Sequence, residues 1–270
     1  MDVSENKELE AFAVELAKNA GKILIEFQQK TKIVTQKTNS LDFATEADLA
    51  SEKYIRSEIT KRFPSHGILG EERGVTNSES DYIWIVDPLD GTLDYTRGFS
   101  SFDVLIALEH KSQLVVGCVY RPTTNNTFSS SKGFGTRKNN KQVNVSDVSS
   151  LEDSIIYFSL PRHSTPAEET GRSLRVLHPL VKETGLVRDA WEGGMSIANV
   201  AAGSAEACIF KKTGPKWWDV AAGILMVEEA GGRVSDLHGE KIANRDLTRG
   251  LVVSNGKIHD QLLALIQKGN

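Results

Sequence analysis

Asp87 and Asp90 stand three residues apart in the run Trp84-Ile85-Val86-Asp87-Pro88-Leu89-Asp90-Gly91-Thr92, where an apolar strand meets a Pro/Gly turn. Carboxylates so placed can converge on a hard cation, with the Leu89 carbonyl between them as a further oxygen donor. Pro88 cannot extend a ladder of sheet hydrogen bonds, and Gly91 lets the backbone come close to a ligand. The alternative is a turn in which each Asp side chain bonds its own backbone, since Asp and Gly are common turn residues. On this segment alone both readings stand.

Further acidic motifs lie at Asp42-Phe43-Ala44-Thr45-Glu46-Ala47-Asp48, at Gly70-Glu71-Glu72 and, far downstream, at Trp217-Trp218-Asp219-Val220-Ala221-Ala222-Gly223. Each has an ordinary explanation. Thr45-x-x-Asp48 fits a helix capping box, Asp219 suits the positive end of a helix dipole, and Glu71 with Glu72 fits a solvated pair before Arg73. In this order, however, the blocks resemble the lithium-sensitive, Mg²⁺-dependent phosphatases of the inositol monophosphatase family. The resemblance runs from about the first helix to the last strand. It rests on the Asp-Pro-x-Asp-Gly-Thr and Trp-Asp blocks in combination; neither suffices alone.

The resemblance implies a mixed α/β fold, the layered αβαβα sandwich of the inositol monophosphatase and fructose-1,6-bisphosphatase type. It implies one phosphatase domain over residues 1–270, with an N-terminal lobe 1–150 and a C-terminal lobe 151–270, and a homodimer. Its cofactor is Mg²⁺, as two or three ions that Mn²⁺ can replace. By the same resemblance Glu71, Asp87 and the carbonyl of Leu89 hold a first ion, and Asp87, Asp90 and Asp219 a second. Gly91 and Thr92 open a short helix whose N–H groups face a phosphate oxygen. Thr92, oriented by Asp48, positions the attacking water; with Glu71 these form the catalytic set. Glu72 stands behind them, and Lys37 matches a family lysine near the site, although an exposed loop charge explains it equally. Such chemistry suits a phosphate monoester, whose oxygens carry about two negative charges and repel an attacking water unless cations balance them.

Two departures bear on the substrate. Where the family has a run of small residues after an arginine, this chain has Arg188-Asp189-Ala190-Trp191-Glu192-Gly193-Gly194. Seven residues before Asp219, where inositol-preferring members carry a glutamate, it has Lys212 beside Lys211. Arg188, Trp191, Glu192 and Lys212, with Asp90, are the candidate substrate contacts. They suit an aromatic base or a second phosphate, while packing of Trp191 at a subunit contact and solvation of the lysines remain the alternative. Inositol 1-phosphate is the first expectation, with histidinol phosphate, 3′-phosphoadenosine 5′-phosphate and fructose 1,6-bisphosphate open. A catalytically inactive regulatory homologue would lack a ligand or Thr92, and here all are present.

To position these groups the chain needs helices and strands in alternation. Leu9, Phe12, Leu16, Ala20, Ile23 and Phe27 step by three and four and predict an amphipathic helix. A second helix is expected from near Thr45 until Pro64, followed by strands at 83–86, 102–108, 114–120 and 127–130. Gly133-Phe134-Gly135 reads as a hairpin turn, because no strand-to-helix context follows that would make it a dinucleotide loop. His163, in the loop Pro161-Arg162-His163-Ser164, is a surface residue on this reading. Downstream, helices at 168–181, 194–202 and about 218–230 flank a strand at 207–210, and Gly231-Gly232 closes the last helix as a left-handed cap.

Composition excludes more than it selects. At 270 residues, 39% hydrophobic and 25% charged, the chain is ordinary globular material. A net charge of −4 gives no reason to expect nucleic acid or an anionic membrane as partner. The start lacks the basic and apolar regions of a signal peptide, so cytoplasm is the expected location. Cys118 and Cys208 lie in apolar runs and read as buried thiols, and the scattered histidines have no zinc-ligand spacing.

Overall fold

The structure, a computed structural model, describes residues 3–28, 33–39, 42–211 and 214–269. Helix α1 (Val3–Gln28) buries Leu9, Phe12, Leu16, Ala20 and Leu24 along one face, so the seam follows Leu24 where Ile23 was expected. Strands β1 (Ile33–Asn39) and β2 (Asp42–Thr45) pair antiparallel. Helix α2 (Glu46–Arg62) starts at the Thr45 cap and ends before Pro64, as its sequence signals predict.

The next segment builds an eight-stranded sheet. Its elements are β3 (Gly67–Gly70), β4 (Gly74–Thr76), β5 (Tyr82–Asp90), the short helix α3 (Thr92–Thr96), β6 (Asp103–His110), β7 (Gln113–Arg121), β8 (Asn126–Ser131), β9 (Thr136–Lys138) and β10 (Lys141–Val143). The strand order is β10-β9-β8-β7-β6-β5-β3-β4, antiparallel except where β3 runs parallel to β5. Gly133 and Gly135, both at positive φ, turn the chain between β8 and β9 as a hairpin.

A five-stranded sheet follows, in the order β12-β11-β13-β15-β14. It comes from β11 (Ile155–Phe158), α4 (Ala167–Glu183), β12 (Leu186–Asp189), α5 (Gly193–Ala201), β13 (Ala207–Phe210), α6 (Trp217–Glu229), β14 (Arg233–Ser235), β15 (Leu251–Ser254) and α7 (His259–Gly269). Gly231, at φ 89°, closes α6 in the left-handed conformation.

Three apolar clusters show how these elements stack. Trp84, Val86, Val104 and Ile106 face α1 and α2, whereas Ile83, Ile85, Leu105 and Ala107 face α5 and α6. The large sheet is thus covered on both sides, and its central strands are apolar throughout rather than alternating. Cys208, Phe210 and Val253 close the α5/α6 layer from the other side, and Ile156, Phe158, Ile209 and Val252 pack on α4 and α7. The layers are helix, sheet, helix, sheet, helix, the αβαβα sandwich. Cys118 and Cys208 are buried free thiols whose pKa values burial raises. Among the described residues no helix is long and apolar enough to cross a membrane.

Candidate active site

The Asp87-Pro88-Leu89-Asp90 segment does not end the strand; β5 runs on to Asp90 through a bulge. Asp87 pairs with Leu105 and Asp90 with Asp103, so three steps along β5 match two along β6. In a regular strand residues three apart point to opposite faces. The extra residue restores Asp87 and Asp90 to one face, because their partners Leu105 and Asp103 are two apart and share a face. Pro88, which has no N–H to give the ladder, sits in the bulge. The face is that of α5 and α6, and the strand delivers both carboxylates to a cleft of about 600 Å³.

Glu71, Asp87, Asp90 and Asp219 all line that cleft. Glu71 follows β3, and its N–H donates to the Val86 carbonyl at 3.1 Å. Buried Glu52 of α2 holds the same turn by accepting from the N–H groups of Glu72 and Arg73 at 2.8 and 3.2 Å. Asp219 lies in the first turn of α6 and accepts from Lys216 N–H at 2.8 Å. Asp87 accepts from Leu89 N–H at 3.0 Å and Asp90 from Gly194 N–H at 3.2 Å. Gly194 is needed for that approach, since a Cβ there would lie 2.4 Å from a Leu105 methyl. The turn and helix-cap explanations of Asp87, Asp48 and Asp219 are therefore realised in the structure, and they coexist with convergence on the cleft.

The electrostatics of the four carboxylates are those of a site short of positive charge. Burial raises Asp87 well above its ordinary value, and the charges of Glu71, Asp90 and Asp219 raise it further. Asp90 is raised by burial, then by Asp219 and Asp103. Asp219 is pushed up to about 7, by burial first and Glu71 second. Among the described residues no three such groups stand close enough to close a cation shell. Each of the three aspartates leans instead on a backbone N–H, as mutually repelling charges in one cleft must. Oxygen donors buried together against their own repulsion are the chemistry that a hard divalent cation fits.

Beside them Gly91, at φ 91°, turns the chain into α3. A Cβ at Gly91 would lie 2.7 Å from the Ser101 carbonyl, and the first N–H groups of α3 have no carbonyl within the helix. Thr92 Oγ lies 3.2 Å from Asp48 Oδ1 and 3.1 Å from the Leu89 carbonyl, one proton serving either acceptor. Asp48 is buried and also completes the Thr45 capping box, accepting from Thr45 N–H at 2.8 Å. Burial lifts its pKa to about 6, against the opposing Thr45 hydrogen bonds. Ser51 Oγ donates to the Pro88 carbonyl at 3.0 Å and ties α2 to the bulge.

The expected substrate contacts separate. Trp191 lines the cleft. Arg188 is exposed on β12 and is not among the lining residues. Glu192 contacts Arg121, which holds buried Asp103 bidentately at 2.9 and 2.7 Å. Lys212 lies outside the described residues, and of Lys37 only the backbone, in β1, is described. His163 is exposed and absent from the cleft wall, which its neighbour Arg162 joins together with Lys211 and Lys216. The signal for Arg162 was slight: one cation in a loop between Pro161 and Pro166.

Residues 5–270 match the model of the inositol monophosphatase family. The chain is 33% identical to the Nus factor SuhB of Pseudomonas aeruginosa over 94% of each protein. It is 33% identical to an inositol-1-monophosphatase of Caulobacter vibrioides over 93% of this chain and 97% of that one. Its fold superposes on the extragenic suppressor protein suhB of Bartonella henselae with a TM-score of 0.87, at 32% identity and covering 95% and 97% of the two chains. With the match spanning nearly the whole sequence, the chain belongs to the inositol monophosphatase family.

Proposed function

We propose that this chain is a Mg²⁺-dependent phosphomonoesterase that hydrolyses a small polyol or sugar phosphate, inositol 1-phosphate being the first candidate. The observation that carries the reading is the gathering of Glu71, Asp87, Asp90 and Asp219 in one cleft beside a threonine bonded to a buried aspartate. In this account Glu71, Asp87 and the Leu89 carbonyl hold one ion, and Asp87, Asp90 and Asp219 another. When bound, Mg²⁺ supplies the positive charge that balances the phosphate oxygens, acidifies the attacking water and stabilises the departing alkoxide.

The chain's own residues do the rest. The N–H groups of Gly91 and Thr92 bind a phosphate oxygen without a side-chain charge, as helix N-termini do. Thr92, donating its proton to Asp48, keeps a lone pair on Oγ to accept a hydrogen from the water and hold it in line with phosphorus. With a pKa of about 6, Asp48 is ionised at neutral pH and can accept that bond. Asp90 borders the alcohol half of the substrate, fixed there by Gly194. The test is phosphate release from inositol 1-phosphate and a small panel of phosphomonoesters, with Mg²⁺ and with EDTA. Release with Mg²⁺ alone supports the reading, and failure of every phosphomonoester overturns it.

A further inference from the structure

Of the two adjacent tryptophans that open α6, Trp218 lines the cleft and Trp217 does not. Trp217 packs, half-buried, on the apolar layer between the two sheets, and its indole N–H donates to Glu109 Oε1 at 2.8 Å. Glu109 lies near the end of β6 and is only 2% exposed. Its other partner is Arg245, whose Nε lies 3.2 and 3.1 Å from the two carboxylate oxygens. Arg245 comes from the loop between β14 and β15, where it and Asn244 both adopt positive φ, 60° and 52°. That region is unfavourable for a long side chain such as Arg, so the loop holds this shape against local preference.

A buried ion pair is a poor source of stability, because the cost of desolvating both charges offsets their attraction. What it supplies is a fixed geometry. The aspartates assigned above to the second ion arrive on two elements, Asp87 and Asp90 on β5 and Asp219 on α6. Strand β6 is the neighbour common to both. It sets the β5 bulge through its Leu105–Asp87 and Asp103–Asp90 pairs. Glu109, an even number of residues from Leu105, shares its face of the strand and there grips the first residue of α6. Asp219 follows within the same helical turn.

We propose that the Arg245–Glu109–Trp217 bridge is a positioning device that sets the start of α6 against β5, so that Asp219 can share a divalent cation with Asp87 and Asp90. Glu109, Trp217 and Arg245 are positioning residues: none of the three lines the cleft, and each acts through Asp219. The proposal rests on the cation-dependent phosphomonoesterase reading above and extends its machinery to a loop outside the cleft.

The test is calorimetric titration of Mn²⁺ into metal-stripped protein without substrate, beside the Mg²⁺ concentration that gives half-maximal phosphate release. Trp217→Phe keeps an aromatic ring but removes the N–H, and should weaken Mn²⁺ binding about tenfold, the low end of what a partner behind a metal ligand is worth. The Mg²⁺ concentration for half-maximal release should rise by the same factor, with kcat at saturating Mg²⁺ within about twofold of wild type. Arg245→Met should give the same defect, and the double variant a defect no greater than the larger single one, since both act through Glu109. Arg245→Lys, which keeps the charge, should recover part of the affinity and takes the place of Arg245→Met in the cycle if that variant does not fold. His259→Gln, in α7, is the control for lost stability and should bind Mn²⁺ as wild type does. Wild-type Mn²⁺ affinity in Trp217→Phe would overturn the proposal even if urea unfolding shifted, for the bridge would then be packing alone. Additive losses in the double variant would overturn it too. A wild type that binds Mn²⁺ but hydrolyses no phosphomonoester overturns the phosphatase reading and leaves the bridge to the calorimetry. One that hydrolyses phosphomonoesters without binding a divalent cation overturns the bridge.

Discussion

In Asp219→Asn the side chain keeps its shape and its acceptor for the Lys216 N–H but loses its charge. In the fold this carboxyl titrates at about 7, against 3.8 ordinarily. A carboxyl raised this far costs the folded state nothing below its unfolded value, because it is protonated in both states. The cost grows as pH rises and is complete by about 7, where it reaches roughly 2–4 kcal/mol once partial exposure is discounted. In EDTA at pH 7 the variant should therefore be more stable than wild type to urea by that order, and the advantage should vanish near pH 4. Turnover should move the other way. Removing one negative charge from the proposed cation site should lower kcat by about 10²-fold or more at any Mg²⁺ concentration, and Mg²⁺ should raise the thermal midpoint of the variant less than that of wild type. The assays are urea denaturation at both pH values and phosphate release. A variant less stable than wild type at pH 7 in EDTA, or one with wild-type turnover, would refute the argument that Asp219 is held against repulsion for the sake of a cation.

Three further outcomes follow from other parts of the molecule. Thr92→Val removes the hydroxyl bonded to Asp48 and should lower kcat by about 10²-fold or more with little change in KM, whereas Thr92→Ser should retain most of the activity; a fully active valine variant would remove Thr92 from water positioning. Arg121→Met leaves buried Asp103 without its bidentate partner and should cost about 3–5 kcal/mol in urea unfolding, a loss that Arg121→Met with Asp103→Leu should largely recover. His259, buried between Ser235 and Ser254 near Arg233 and Asp260, has its pKa lowered to about 4, chiefly by burial. Its sign is opposite to that of Asp219: stability is full above about 6.5 and falls as pH drops toward 4, by up to about 3 kcal/mol. The stability advantage of wild type over His259→Gln should shrink by that amount between pH 7.5 and 4, and an NMR midpoint near 6.5 for the ring would contradict the burial argument.

What was legible in the sequence was what local pattern encodes. The stepping apolar residues of α1, the Thr45 and Pro64 signals of α2 and the Gly231 cap need only their neighbours to be read. The central strands were visible for a different reason: 104–108 are apolar on both faces, which marks a covered sheet. Strands of three or four residues, among them β4, β9, β12 and β14, are too short for alternation to distinguish them from turns. The bulge at Pro88-Leu89 was out of reach because it is a mismatch between β5 and β6, invisible in β5 alone. In the cleft, residue types and order pointed to Glu71, Asp87, Asp90 and Asp219, and the fold brings them together. The substrate end did not yield in the same way. Glu192 meets Arg121 across 71 residues and Arg162 meets Trp191 across α4 and β12, pairings that no spacing rule foretells.

In the proposed mechanism the carboxylate cleft works as a phosphate-ester site only with a divalent cation in it. The most direct test is to titrate Mg²⁺ into metal-stripped protein and follow phosphate release from inositol 1-phosphate and the thermal midpoint in the same preparation. No release is expected in EDTA, with release that rises with Mg²⁺ and a midpoint that rises over the same concentration range. Turnover that persists undiminished in metal-free buffer would contradict it.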